Sequence, residues 1–365
     1  MPAGAATPNV SVVKILLLHN RVLLAVTVNG SRPLRFALDT GDSDRASIDP
    51  EVAASLGLKI AGGSMSSGIV GQEVHATYSV QDIVIGGVLR QPAAQLDGVA
   101  MGDVEGLLPA HLLQTQDADL DFTKGELRLY FSGEADHAGY TAIPYDKGHS
   151  EHQVIAPCRL DDQALRLQLD TGDPDGITLL SNYVRDRGLW NAFPTFLEEV
   201  VRGTAGATRS RTVRMKSFQI GATRFRDPIV TLIDPQHFTA DAPESDGLVG
   251  LDVLRRFDMS FQTFPRTVLW IKRNDAAADA FRVDRSGLDV RRTKNGVCTV
   301  SEVAPGSAAE AAGLKVGDVL PTINTSGLVS GLYWLLSDAA GTEVALEVER
   351  GGVKQTIKLV LADRV

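Results

Sequence analysis

One short phrase occurs twice in this chain. It is Leu34-Arg-Phe-Ala-Leu-Asp39-Thr40-Gly41-Asp42-Ser-Asp44, and again Leu165-Arg-Leu-Gln-Leu-Asp170-Thr171-Gly172-Asp173-Pro-Asp175. Each copy is an apolar strand running into Asp-Thr-Gly, followed by the same acidic tail. A single Asp-Thr-Gly also makes an ordinary turn. Two in matched surroundings point to two related β half-domains, each delivering one carboxylate. Asp39 and Asp170 together suggest a symmetric catalytic dyad.

The repeat extends beyond the phrase, and a recurring unit sets the architecture. Upstream of the first copy, Arg21-Val-Leu-Leu-Ala-Val-Thr-Val-Asn-Gly30 reads as a strand closing on an Asn-Gly turn. The second copy has Val154-Ile-Ala-Pro-Cys-Arg-Leu-Asp161-Asp162 in that place. Short helical stretches follow, Pro50-Glu-Val-Ala-Ala-Ser-Leu-Gly57 and Asn182-Tyr-Val-Arg-Asp-Arg-Gly188, each with a glycine at its C-terminal cap. Next come Val80-Gln-Asp-Ile-Val-Ile-Gly-Gly87 and Met215-Lys-Ser-Phe-Gln-Ile-Gly221, strands that stop at an Ile-Gly turn. Each half closes on a glycine-led apolar segment, Glu105-Gly-Leu-Leu-Pro-Ala-His-Leu-Leu113 and Asp246-Gly-Leu-Val-Gly-Leu-Asp-Val-Leu254.

On these residues the chain resembles the bilobal aspartic proteases of the pepsin and retropepsin type. The resemblance implies two pseudo-symmetric, mainly β lobes forming a pepsin-like double barrel, over residues 1–135 and 136–275. It implies that Asp39 and Asp170 face each other across one cleft and share a proton, because two carboxylates in contact cannot both ionise cheaply. The ionised member would activate water against a peptide carbonyl while the protonated member donates to the carbonyl oxygen. Thr40 and Thr171 would bond across the interface, and Gly41 and Gly172 would let backbone N–H groups approach the carboxylates. A flap would come from Ser64-Met-Ser-Ser-Gly-Ile-Val-Gly-Gln72, with Ser67, Gly68, Ile69, Val70 and Gly71 against substrate. Its counterpart would be Arg202-Gly-Thr-Ala-Gly-Ala207; an ordinary surface hairpin is the alternative for both.

Two features depart from the family pattern. The apolar-apolar-Gly turn under the catalytic loop is present as Leu248-Val249-Gly250, but the first half has Leu107-Leu108-Pro109. Proline fixes φ and lacks an N–H, so that turn must be built differently. Asp42 and Asp173 stand where the family has a small or hydroxyl side chain. Three readings follow: a tuned protease, a site that recruits a cation, or a protease fold that binds peptides or partners without cleaving. The loops miss the alternate-position spacing of a calcium loop, and the seven His are scattered, so no metal or other cofactor is expected.

Past Trp270-Ile-Lys-Arg-Asn-Asp-Ala-Ala-Ala-Asp279 the composition changes, which suggests a linker. The remainder, 276–365, resembles a bacterial-type PDZ domain through Val303-Ala-Pro-Gly-Ser-Ala308, Ala312-Gly-Leu-Lys-Val-Gly-Asp318 and Ile323-Asn324, with Val344-Ala-Leu-Glu-Val-Glu-Arg-Gly-Gly352 and Ile357-Lys-Leu-Val-Leu361 as a closing hairpin. That resemblance implies strand addition of an extended peptide and a backbone nest for a C-terminal carboxylate, here Ser286-Gly287-Leu288-Asp289-Val290. The adjacent helix would carry Leu332, Leu335 and Leu336. Asp289 departs from the pattern, since a carboxylate there weakens capture of another. A domain that only packs against the lobes is the alternative.

Composition narrows the partners. Net charge is −9, from 36 basic and 45 acidic residues, which argues against a nucleic-acid surface. No apolar run approaches a membrane span. Ile15-Leu-Leu-Leu18 and Val22-Leu-Leu-Ala-Val26 are broken by His19-Asn20-Arg21, which fits a hairpin better than a secretion signal. Cys158 and Cys298 match no metal or redox spacing. The expected partners are a peptide or protein substrate and a C-terminal peptide on the PDZ module. Two lobes in one chain favour a monomer, and the resemblance favours a periplasmic or secreted setting.

Overall fold

The computed structural model describes residues 9–41, 45–68, 71–101, 104–113, 115–132, 135–148, 152–203, 206–236, 244–262, 267–292, 297–321 and 329–365. Strand dominates throughout. The chain forms two compact units: Met1–Pro194 with Glu198–Phe281, and Arg282–Val365 with the short stretch Thr195–Leu197. Both halves of the repeat lie in the first unit.

The two halves build sheets of one design. The first runs, in spatial order, Lys59–Gly68, Gly71–Ser79, Gln95–Gly98, Ser47–Ile48, Gly106–Pro109, Leu34–Asp39, Arg21–Val28, Asp82–Ile85 and Leu89–Pro92, with Leu16–Leu18 beside Arg21–Val28. The second runs Leu197–Gly203, Gly206–Arg214, Ile229–Ile233, Ile177–Leu179, Gly247–Val249, Gln163–Leu169, Ile155–Leu160, Ser217–Ile220 and Thr223–Arg226. The orders match strand for strand. The helices Pro50–Ser55 and Ser181–Asp186 occupy the same step of each half, and Gly57 and Gly188 follow them at φ +65° and +63°.

The apolar pattern explains the layering. Ile177–Leu179, Ile229–Ile233 and Gly247–Val249 are buried along their whole length, as strands covered on both faces must be. A third sheet joins the halves. Its order is Asn9–Lys14, Glu126–Ser132, Asp117–Asp121, Phe257–Gln262, Val268–Arg273 and Thr141–Pro144. The pseudo-twofold relation runs through its centre, where Asp117–Asp121 pairs antiparallel with Phe257–Gln262 in the register Leu120↔Met259 and Ala118↔Phe261.

Leu16–Leu18 and Arg21–Val28 form the expected hairpin, its turn made by His19 and Asn20 at φ 48° and 56°. The linker that the sequence suggested at Trp270–Asp279 belongs to the first unit, which runs to Phe281, so residues 276–281 are part of it and not of the C-terminal module. Fully buried Arg256 holds them there. Its guanidinium donates to the carbonyls of Asp279 at 2.5 Å and Ala280 at 3.2 Å, pairs with Asp252 at 3.3 Å and lies 4.2 Å over the Phe281 ring.

The second unit contains two hairpins, Leu288–Arg292 with Cys298–Val303 and Glu343–Arg350 with Val353–Val360, and the helices Ala308–Ala311 and Val329–Leu336. Val344, Leu346 and Val348 alternate inward along their strand and pack with Leu288, Val290 and Leu336 in one core. No helix among the described residues is long and apolar enough to cross a membrane.

Candidate active site and candidate peptide nest

The repeated strands aim their final residues at one place. Leu34–Asp39 lies parallel to Gly106–Pro109, and Gln163–Leu169 lies parallel to Gly247–Val249, so each Asp-Thr-Gly leaves the middle of its sheet. There the two copies interlock. Thr40 Oγ1 donates to the Leu169 carbonyl at 2.8 Å and accepts the Thr171 N–H at 2.9 Å. Reciprocally, Thr171 Oγ1 donates to the Leu38 carbonyl at 2.7 Å and accepts the Thr40 N–H at 3.1 Å. Both threonines are 1% exposed. Removing either hydroxyl would strand buried backbone groups, which costs about 1–3 kcal/mol for each orphan.

This interlock brings Asp39 and Asp170 together. Gly41 N–H donates to Asp39 Oδ1 at 3.0 Å, and Gly172 N–H donates to Asp170 Oδ1 at 2.8 Å. Each glycine also lies against the other half's carboxylate. A Cβ on Gly41 would stand 2.5 Å from Asp170 Cγ, and one on Gly172 would stand 2.3 Å from Asp39 Cγ. Only glycine leaves room for two carboxylates here. Burial, the Asp39 charge and the Asp173 charge hold the Asp170 carboxyl well above the usual carboxylate range, and a hydrogen bond to Asp39 adds to the rise.

Asp173 touches the dyad through its backbone: its N–H donates to Asp170 Oδ1 at 3.1 Å. Its own carboxylate accepts from Asp175 N–H at 2.9 Å and Thr178 Oγ1 at 3.1 Å. Asp42 lies outside the described residues. The hairpin Lys59–Gly68 with Gly71–Ser79 has the long, extended form of a flap, paired to the register Gly68↔Gly71. The backbones of Ser67, Gly68 and Gly71 fall on it, whereas Ile69 and Val70 lie outside the described residues. Met65 and Val74 are cross-strand partners near its end and are 65% and 74% exposed.

The two dyad loops are held by groups that the sequence did not single out. Arg21 Nη1 donates to the Gly172 carbonyl at 2.8 Å, and Asn20 Nδ2 donates to the Pro174 carbonyl. Asn20 lies in the tight turn that interrupts the first apolar hairpin, and Arg21 opens the strand that follows it. In the other direction Gln168 Nε2 donates to the Gly41 carbonyl at 3.2 Å. Gln168 is a buried polar residue between Leu167 and Leu169, just before Asp170, a signal that was available in the sequence.

The crossing turn differs between the halves. Gly250 N–H donates to the Gly176 carbonyl at 2.7 Å, and a Cβ there would meet the Asp175 carbonyl oxygen at 2.2 Å. Pro109 occupies the matching place, paired in register with Asp39, and has no N–H to offer. Among the described residues, no group of three or more His, Cys, Asp or Glu side chains converges as metal ligands would.

In the second unit, the nest residues Leu288 and Val290 turn their side chains into the core, as do Leu332 and Leu336. Leu332 and Leu336 therefore belong to the core, while Leu335 is 42% exposed. Gly287 has φ +73°, and Asp289 is half-buried.

Known proteins resemble the chain segment by segment. Residues 24–109 match the aspartyl protease family, and residues 279–330 match the PDZ domain family. No curated protein matches. Among solved structures, an aspartic proteinase from Irpex lacteus is similar at 14% identity, over 74% of this chain and 98% of that one, with a TM-score of 0.46. The segment that carries Asp39 is thus similar to aspartyl proteases, and the C-terminal segment to PDZ domains.

Proposed function

We propose that the first unit is an aspartic endopeptidase that hydrolyses peptide bonds in extended peptides or unfolded protein. The reading is carried by the Thr40–Thr171 interlock, which sets the Asp39 and Asp170 carboxylates side by side. Asp170 is the member that holds the shared proton, since burial and two neighbouring carboxylates oppose its charge. Asp39 accepts a proton from water as the water oxygen attacks the peptide carbonyl carbon. Asp170 gives its proton to the carbonyl oxygen. Collapse of the tetrahedral species then breaks the C–N bond, with the amine protonated from Asp39 while one hydroxyl proton of the species returns to Asp170. The dyad titrates as a pair, so activity needs exactly one proton on it. The second unit docks peptide for the first.

Pro109 favours a second reading, a protease fold that binds peptide without cutting. The two are separated by digesting a peptide library across pH with the parent chain and with Asp39→Asn. The endopeptidase reading expects internal cleavage by the parent and none by the variant. Absence of cleavage at every pH leaves the binding protein.

A further inference from the structure

The two halves of the first unit share a strand order but are not filled alike. Register fixes which residues correspond. Ile48 pairs with Gly106 as Leu179 does with Gly247, and Ser47 pairs with Asp97 as Thr178 does with Thr231. Counting from these pairs, Ala46 stands where the second half has Ile177, and Gln95 where it has Ile229. Both isoleucines are buried, at 0% and 5% exposed. With a methyl in place of one and an amide in place of the other, the first half has less apolar volume to fill the same space.

A cavity of about 150 Å³ lies there. Ile83, Ile85, Leu108 and Leu112 give it an apolar wall, and none of the four is more than 3% exposed. An apolar cavity of about this size holds a benzene-sized molecule. Arg45, Gln91, Gln95 and His111 supply its polar lining. Pro109 also lines it and is the register partner of Asp39, so the cavity lies one strand from the dyad.

The cation is as particular to this half as the space is. Arg45 corresponds to Gly176, where a Cβ would meet the Ile229 carbonyl oxygen at 2.9 Å, so the second half has no room for such a side chain. Among the described residues, no carboxylate lines the cavity, and the ion-pair partner of Arg45 is Asp97 at 3.8 Å, beyond hydrogen-bond reach. The guanidinium fork is therefore open to a ligand, and its planar donors match a carboxylate. Arg45 is 47% exposed along its side chain, so a carboxylate bound to it keeps part of its hydration while an attached apolar body enters the cavity.

We propose that this cavity binds a compact apolar monocarboxylate of about the size of benzoate, its body among Ile83, Ile85, Leu108 and Leu112 and its carboxylate on Arg45. The site is independent of whether Asp39 and Asp170 cut. The test titrates the full chain, labelled at its isoleucine and leucine methyl groups, with benzoate and with its neutral counterpart benzamide, followed by NMR. The expected result is saturable shifts at the four wall residues, with a Kd for benzoate at or below about 1 mM and binding of benzamide at least about fivefold weaker. Arg45→Gln should lower benzoate to the level of benzamide. Ala46→Ile, which puts the second half's own residue into the space, should abolish the binding of both. Gln95→Ile fills the same space from a different strand and carries the test if a thermal melt shows the first filled variant unfolded. Shifts that do not saturate or that cluster elsewhere, equal binding of benzoate and benzamide by the parent, or a folded filled variant that binds as the parent does would each overturn the proposal.

Discussion

The two halves of the first unit share one strand order, yet the loops they bring to the dyad are secured differently. A cation at the first residue of a strand, Arg21, holds the Gly172 carbonyl, whereas a neutral amide near the end of a strand, Gln168, holds that of Gly41. Beneath the loops, Gly250 closes a backbone bond that Pro109 has no N–H to make. What stays identical is the inner ring: both threonine bonds, both glycine amides and both close approaches. Duplication has preserved the groups that fix the carboxylates and released the groups that support them. The expected chemistry is symmetric in position and asymmetric in proton affinity.

The inner ring can be broken from either side. Gly41→Ala and Gly172→Ala each drive a methyl into the opposite carboxylate, at 2.5 and 2.3 Å. Displacing a reacting group by about 1 Å costs roughly a hundredfold, so both variants should lose at least about that in kcat/KM, and by similar amounts. A large effect at one glycine alone would show that only one half matters.

Next in size is a stability effect confined to Asp170. Its folded carboxyl is raised above the ordinary 3.8, so the native state binds more protons than the unfolded chain. Stability from this group is full below the ordinary value and is lost as pH rises through the raised one. Asp170→Asn removes that loss. The variant should therefore melt at higher temperature than the parent at neutral pH, with the gap closing as pH falls toward 4. Calorimetry across pH reads this, and a variant less stable than the parent at pH 7 would refute the assignment of the proton.

Smaller effects lie outside the ring. The Asp173 charge helps Asp170 keep its proton, so Asp173→Asn should let that proton leave earlier and move the basic limb of kcat/KM to lower pH. A limb that moves upward would assign Asp173 the opposite role. Smallest of all, Pro109→Gly restores the missing N–H where the first half has none. It should change kcat/KM by less than about threefold and stability by about 1 kcal/mol or less. A much larger gain in cleavage would make Pro109 the brake on this site.

The repeat, the sheet architecture and the dyad residues were legible because apolar strands, Ile-Gly turns and Asp-Thr-Gly keep their spacing in both halves. The supports were harder to see. Arg21 opens a strand just past a tight turn and acts on a carbonyl 151 residues away, a contact that no local pattern encodes. Asp173 stood out as a carboxylate beside the dyad, but that its amide also serves Asp170 while its carboxylate accepts from Thr178 depends on a loop geometry no local pattern encodes. Asp289 stood out as a foreign residue in a carboxylate nest, but its partner Tyr333 comes from a helix 44 positions on. Leu332 and Leu336 pointed to a groove only because a short helix has too few turns to separate its two apolar faces by sequence.

The central claim is that Asp39 and Asp170 are one catalytic unit. A double-mutant cycle tests it: kcat/KM on a cleaved peptide for the parent, Asp39→Asn, Asp170→Asn and the double variant. Groups that share one proton are strongly non-additive. Each single change should lower kcat/KM by at least about a thousandfold, and the double should be no worse than either. Substantial cleavage surviving in one single variant, or losses that simply multiply, would contradict a shared site.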